Sequence, residues 1–145
     1  KKWQGFIENQ LCKILAIIAT VVLCVVGVGE AHIGKDQSSL MDKRVMYIRE
    51  QPVADYEMKS YGTKTYGEAL DDYCTNEKWD SFTAESGEQV VQFNGNAYYK
   101  GSEKEVIIQF LITGDCESYE LSYFAFDGTA CNWQQVDTFY KTICK

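Results

Sequence analysis

The sequence predicts an α+β fold: an N-terminal transmembrane helix, then a two-layer domain in which an antiparallel β-meander carries helices on one face. Three observations lead there. Residues 14–28 form an apolar run broken only by Thr20 and Gly27. Two later segments carry apolar side chains at i, i+3, i+4 and i+7, each behind a capping signal. Between them, short β-branched and aromatic stretches alternate with turn residues.

The apolar segment 11–29 would span roughly 28 Å as a helix, close to one bilayer core. Lys1, Lys2 and Lys13 lie at or before its start, and only Lys35 falls in the first dozen residues after it. The positive-inside rule puts the N-terminus in the cytoplasm and everything from Glu30 onward outside the cell membrane. The expected organisation is a signal-anchor over 1–29, a linker over 30–37 and an extracytoplasmic α+β domain over 38–145. Two alternatives share this charge order. One is a cleaved signal peptide, with Gly29-Glu30-Ala31 as a small-x-small cleavage site, which would leave a secreted domain. The other is a type IV pilin-like structural subunit, suggested by Lys2 and Gly5-Phe6, although Glu8 stands two places early for that pattern.

Within the domain, Ser38 or Ser39 caps a first helix reaching to about Glu50, with Met41, Val45 and Ile48 on one face and Pro52 ending it. Residues 53–64 read as a connection, with a turn at Tyr61-Gly62. Thr65 and Glu68 form a capping box, and Tyr66, Ala69, Leu70 and Tyr73 make the stripe of the second helix. Strands are expected over 79–84 and 89–93. Asn94-Gly95-Asn96 is a hairpin signal, followed by a strand over 97–100. Residues 106–113 are the densest β-branched run and read as a central strand. Gly114-Asp115 turns the chain, and the last strand, 119–126, stops at Asp127-Gly128. Asn132 and Gln135 cap a final helix with the stripe Val136, Phe139, Tyr140 and Ile143. Two amphipathic helices bracketing a meander bury their stripes on one sheet face.

Residues 30–145 carry 11 basic and 20 acidic side chains, a net charge of −9. An acidic surface disfavours nucleic acid as a partner. A single proline and 14% aromatic residues disfavour disorder. Cys12 and Cys24 belong to the apolar segment; Cys74, Cys116, Cys131 and Cys144 would meet an oxidising compartment and form two disulfides. Cys131 and Cys144 flank the last helix, and Cys116 and Cys131 flank the last strand, so both of those pairs are too far apart. The surviving pairing is Cys116–Cys144 with Cys74–Cys131.

The stretch Thr65-Tyr66-Gly67-Glu68-Ala69-Leu70, then Asn76, Lys78-Trp79, Phe82, Gly87 and Val90-Val91-Gln92-Phe93-Asn94-Gly95, resembles an uncharacterised group of small single-pass proteins of Gram-positive gut bacteria. Those proteins carry a membrane helix before a domain patterned TYGEAF…NPKW…GxxVVEFTG. The resemblance covers roughly residues 60–126. Leu70 stands where the pattern has Phe, and the extra cysteines depart from it. The resemblance implies a membrane-anchored α+β domain and supplies no catalytic residue. The order of helix and meander is also similar to cystatin-like and β-lactamase-inhibitor-like folds, an analogy of fold alone.

No chemistry-bearing constellation stands out. The single histidine, His32, falls in the linker and lacks a nucleophile beside it. Glu68, Asp71 and Asp72 lie on a helix without a glycine-bearing calcium loop and read as a solvated face. Glu103 with Glu105 and Asp115 with Glu117 flank turns. No phosphate loop or zinc motif is present in the sequence. The expectation is a non-enzymatic domain with no metal ligand and no cofactor, held to the membrane through residues 11–29. Its expected partner is a protein or a cell-wall glycan. The binding candidates are the aromatics Tyr98, Tyr99, Tyr119, Tyr123 and Phe124. In this reading Tyr119 and Tyr123 share one face of their strand, and Phe124 and Phe126 share a face.

Overall fold

A computed structural model describes residues 43–145. The expected transmembrane segment, the expected linker and the start of the expected first helix lie outside the described residues. Among the described residues, no helix is long and apolar enough to cross a membrane.

Helix α1 covers 43–49 and seats Ile48, fully buried, in the core. After Pro52 the chain forms a small antiparallel hairpin, β1 (Pro52–Ala54) and β2 (Ser60–Thr65), where the sequence suggested only a connection. The missed signal is Asp55, whose carboxylate accepts from the backbone N–H groups of Glu57 and Lys59 and so builds the turn. Helix α2 (Tyr66–Tyr73) starts at the expected capping box. The Thr65 hydroxyl accepts from the Glu68 N–H, and the Glu68 carboxylate accepts from the Thr65 N–H. Its stripe buries Tyr66, Ala69 and Leu70.

A five-stranded antiparallel meander follows: β3 (Thr75–Thr83), β4 (Gln89–Tyr99), β5 (Ser102–Thr113), β6 (Ser118–Phe126) and β7 (Thr129–Ala130), neighbours in space as in sequence. The β-branched run sits in β5, the centre of the sheet, as its composition predicts. Helix α3 (Trp133–Ile143) closes the domain from its own capping box at Asn132 and Gln135. The inner face of the sheet presents Val91, Phe93, Val106, Ile108, Phe110 and Phe124. These pack in one cluster with Ile48, Tyr66, Leu70, Val136, Phe139, Tyr140 and Ile143 from the helices. The opposite face carries Lys78, Asp80, Gln92, Asn94, Gln109 and Tyr123, and a Gln92–Gln109 hydrogen bond of 2.6 Å runs across its middle.

Two local expectations are corrected. Asn94-Gly95-Asn96 is no hairpin turn; it runs straight through β4, paired to Ile107, Val106 and Glu105. Gly95 is there for closeness. A Cβ at this position would lie 2.8 Å from Cζ of Phe93 and 3.3 Å from Cβ of Cys74. The hairpin turn is instead Lys100-Gly101, with φ of 51° and 84°, the conformation of a two-residue type I′ turn. The second correction concerns β6. Gln109 pairs with Tyr123 and Phe110 with Leu121, so Ser122 is an extra residue, a β-bulge. The bulge reverses the side-chain alternation. Tyr119 therefore shares the inner face with Phe124 and Phe126, and Tyr123 alone points outward. The Ser122 hydroxyl donates to the Gln109 carbonyl at 3.1 Å, satisfying an acceptor beside the bulge.

Candidate functional site

An antiparallel meander brings alternate turns to the same end of its sheet. Here the β4–β5 and β6–β7 turns meet beside the N-terminus of α3. Tyr99, Lys100, Lys104, Phe126, Asp127, Thr129 and Gln135 line a cleft of about 310 Å³ between them, near the lower end of small-molecule sites, roughly 300 Å³.

Each wall has a structural cause. Tyr99 ends β4 on the inner face, stacked on Phe126 with ring centres 5.1 Å apart and edge-on to Phe139 at 5.3 Å. The positive φ of Lys100 turns its side chain back, and its ammonium lies 5.3 Å from the centre of the Tyr99 ring, a cation–π contact. Asp127 ties the β6–β7 turn to β5. Its carboxylate accepts from the Lys104 ammonium at 2.9 Å and from the Glu105 N–H at 2.9 Å, while its own N–H donates to the Glu105 carbonyl. Gln135 reaches the cleft from the first turn of α3.

These contacts fix the ionisation states. The Lys104 ammonium, then the Glu105 N–H, holds the Asp127 carboxyl below its ordinary range. Burial raises the Tyr99 phenol, with a smaller contribution from the neighbouring Cys131 thiol, and burial likewise raises Cys131 itself. Near neutral pH these groups stay as ionised Asp127, neutral Tyr99 and neutral Cys131. A group depressed in the folded state stabilises the fold fully above its unfolded value and loses that contribution as pH falls through the folded value. Asp127→Asn is therefore expected to flatten the loss of stability as pH falls below about 4. Urea unfolding at stepped pH measures this, and parallel acid limbs for the two proteins would contradict it.

The five sequence-derived aromatic candidates part company. Phe124 is a core residue, and Tyr119, half-buried, packs against the core. Phe124 packs its ring on Phe139 at 5.4 Å and Tyr140 at 5.9 Å. Tyr119 meets Tyr47 at 6.1 Å and Tyr66 at 6.2 Å, and burial pushes its phenol up to about 12. Tyr98 and Tyr123 both lie on the outer face, but their partners on β5, Glu103 and Gln109, are six residues apart. That separation is roughly 20 Å along the strand, so they form no common patch. Only Tyr99 belongs to the cleft. The other cleft residues went unread, although two glycine-bearing two-residue turns on alternate hairpins were enough to place them together.

All four described cysteines carry free thiols; neither expected bridge is formed. The meander does put Cys74 with Cys131 at one end of the sheet and Cys116 with Cys144 at the other. Cys74, however, rests against Gly95 of β4, while Cys131 continues β7 beside Phe124. Three strand spacings, roughly 14 Å, separate those lines, against the 7 Å or so that a disulfide tolerates. Cys116 occupies the β5–β6 turn, and Cys144 ends α3 near β2, where the Lys64 ammonium approaches the Ile143 carbonyl. Among the described residues no group of His, Cys, Asp or Glu could hold a metal ion. Asp71 pairs with Arg49 and Asp72 with Lys64, while Glu68 caps α2. Set against protein-family profiles, curated proteins and solved structures, the chain finds no match in any of the three.

Proposed function

We propose that residues 38–145 form the extracytoplasmic, non-enzymatic binding domain of a protein anchored by residues 11–29, and that the cleft holds a segment of cell-wall glycan. The apolar segment with its lysine asymmetry supports the anchoring. The resemblance to single-pass proteins of Gram-positive bacteria agrees with it. The cleft carries the binding reading. It joins apolar ring edges to a hydroxyl, an amide and an ammonium within one small concavity, the mixture that suits a polyhydroxylated ligand with apolar ring faces. Asp127, Tyr99 and Cys131 keep protonation states far from interchange near neutral pH. Recognition suits such groups better than proton transfer does.

Lys100→Asn keeps a residue tolerant of positive φ and removes the ammonium. Co-sedimentation of the full chain in detergent with insoluble cell-wall glycan tests the reading. Wild type is expected in the pellet, with retention reduced about fivefold in the variant, the loss of one charge-assisted contact. Equal retention of both proteins, or none of either, would refute the assignment of the cleft.

A further inference from the structure

The side chains of the cleft do not offer donors and acceptors evenly. The acceptors are already engaged. One oxygen of the Asp127 carboxylate accepts from the Lys104 ammonium and the other from the Glu105 N–H. The amide oxygen of Gln135 accepts from the Asn132 N–H at 2.9 Å, the return bond of the α3 capping box. What is left over donates. Gln135 keeps its NH2 group, and Lys104 keeps the N–H groups not aimed at Asp127. The Lys100 ammonium meets the Tyr99 ring and no carboxylate among the described residues. The Thr129 hydroxyl serves either way. Two ammonium groups and one carboxylate leave the cleft net positive, although residues 30–145 carry a net charge of −9.

Neighbouring carboxylates are kept away from it. Glu103 and Glu105 flank Lys104 on β5 and alternate to the outer face, where Glu103 accepts from the Asn96 amide at 3.3 Å. Asp137, in the second turn of α3, is held by Tyr61 and Lys141. Gln135 itself follows the same pattern. The matching position of the α2 capping box is Glu68, and the positive end of a helix dipole favours a carboxylate there. Helix α3 has no acidic residue in its first turn. A glutamate at 135 would cap equally well but would set a negative acceptor at the cleft.

We propose that the glycan held by the cleft is acidic, and that Lys100 and Gln135 receive its oxyanion, a sugar carboxylate or a phosphate. This rests on the reading of the cleft as a glycan site. Donors without free acceptors suit a group that only accepts, and charge-assisted contacts are the stronger kind. A neutral sugar must donate as well as accept, and its hydroxyl protons would find few partners here.

Isothermal titration calorimetry on the full chain in detergent tests this with three probes: cellotriose, the glucuronic acid trimer of the same linkage, and a glycerol phosphate trimer. At low salt the better acidic probe is expected to bind about tenfold tighter than cellotriose, and the advantage to shrink at about 0.5 M salt. Which acidic probe is better identifies the source of the oxyanion. Gln135→Glu is expected to weaken that probe about tenfold and to change cellotriose by less than about twofold. Its urea midpoint should match or exceed wild type, because Glu caps as Gln does. Cellotriose bound as tightly as the better acidic probe would overturn the inference and leave the glycan reading standing. So would a Gln135→Glu variant with wild-type affinity for the acidic probe. If none of the three binds, the inference falls, and retention in the cell-wall pellet decides the glycan reading by itself.

Discussion

Phe139→Ala is expected to destabilise the domain by about 3–5 kcal/mol, the cost of removing a large buried ring from a packed core. Phe139 is fully buried, and its ring meets five others: Tyr73 of α2, Tyr99, Phe124 and Phe126 of the sheet, and Tyr140 of its own helix. It is where α2, α3 and the ends of two strands, β4 and β6, converge. No neighbour is free to fill the hole. Tyr99 and Phe126 are held by their stack, and Phe124 is also packed on Tyr140. Urea unfolding followed by fluorescence measures the effect. At about 1–3 kcal/mol per molar urea, the midpoint should fall by at least about 1 M. A loss under about 1 kcal/mol would mean that α3 is not seated on the sheet as described. Tyr99 and Phe126 both lean on this ring, so the same variant should loosen the cleft.

Gly95→Ala is expected to cost about 1–3 kcal/mol through overpacking. The added methyl would come within 2.8 Å of Phe93 and 3.3 Å of Cys74. Phe93 has no room to yield. It is fully buried and lies edge-on to Trp79 with ring centres 5.0 Å apart, and Trp79 in turn lies under the Arg49 guanidinium. Cys74 is equally fixed, because its N–H caps α2 through the Leu70 carbonyl. The same unfolding measurement applies. Pairing Gly95→Ala with Phe93→Leu should recover part of the loss, because the smaller side chain vacates the contested space. Gly95→Ala at wild-type stability would show that β4 and α2 are not so close.

The helices were legible because their signals are local and redundant. Each capping box fixes a start, and each stripe of four apolar residues fixes a buried face, so α2 and α3 stand where the sequence places them. The meander was legible in outline for a similar reason, since each strand pairs with the next in the chain. The errors came where a residue's role depends on distant neighbours. Asn94-Gly95 has turn chemistry, but its glycine answers to Phe93 and Cys74. The bulge at Ser122 leaves no mark in the alternation of β6 itself, and it moved Tyr119 from the face of Tyr123 to the inner face, against the core. The cleft required knowing that two turns, 27 residues apart in sequence, meet across one end of the sheet.

The order of the elements along the chain carries a last consequence. Synthesis is vectorial, so β3 to β7 are delivered before α3. Each strand finds its partner at once, and the sheet can assemble as it emerges. Its inner face cannot close until α3 arrives with Val136, Phe139, Tyr140 and Ile143. In the interval a complete sheet presents Phe93, Ile108, Phe110 and Phe124 to whatever is near. The nascent domain is stickiest just before its final helix is made, and truncations that remove α3 should aggregate where shorter ones ending before β5 stay soluble.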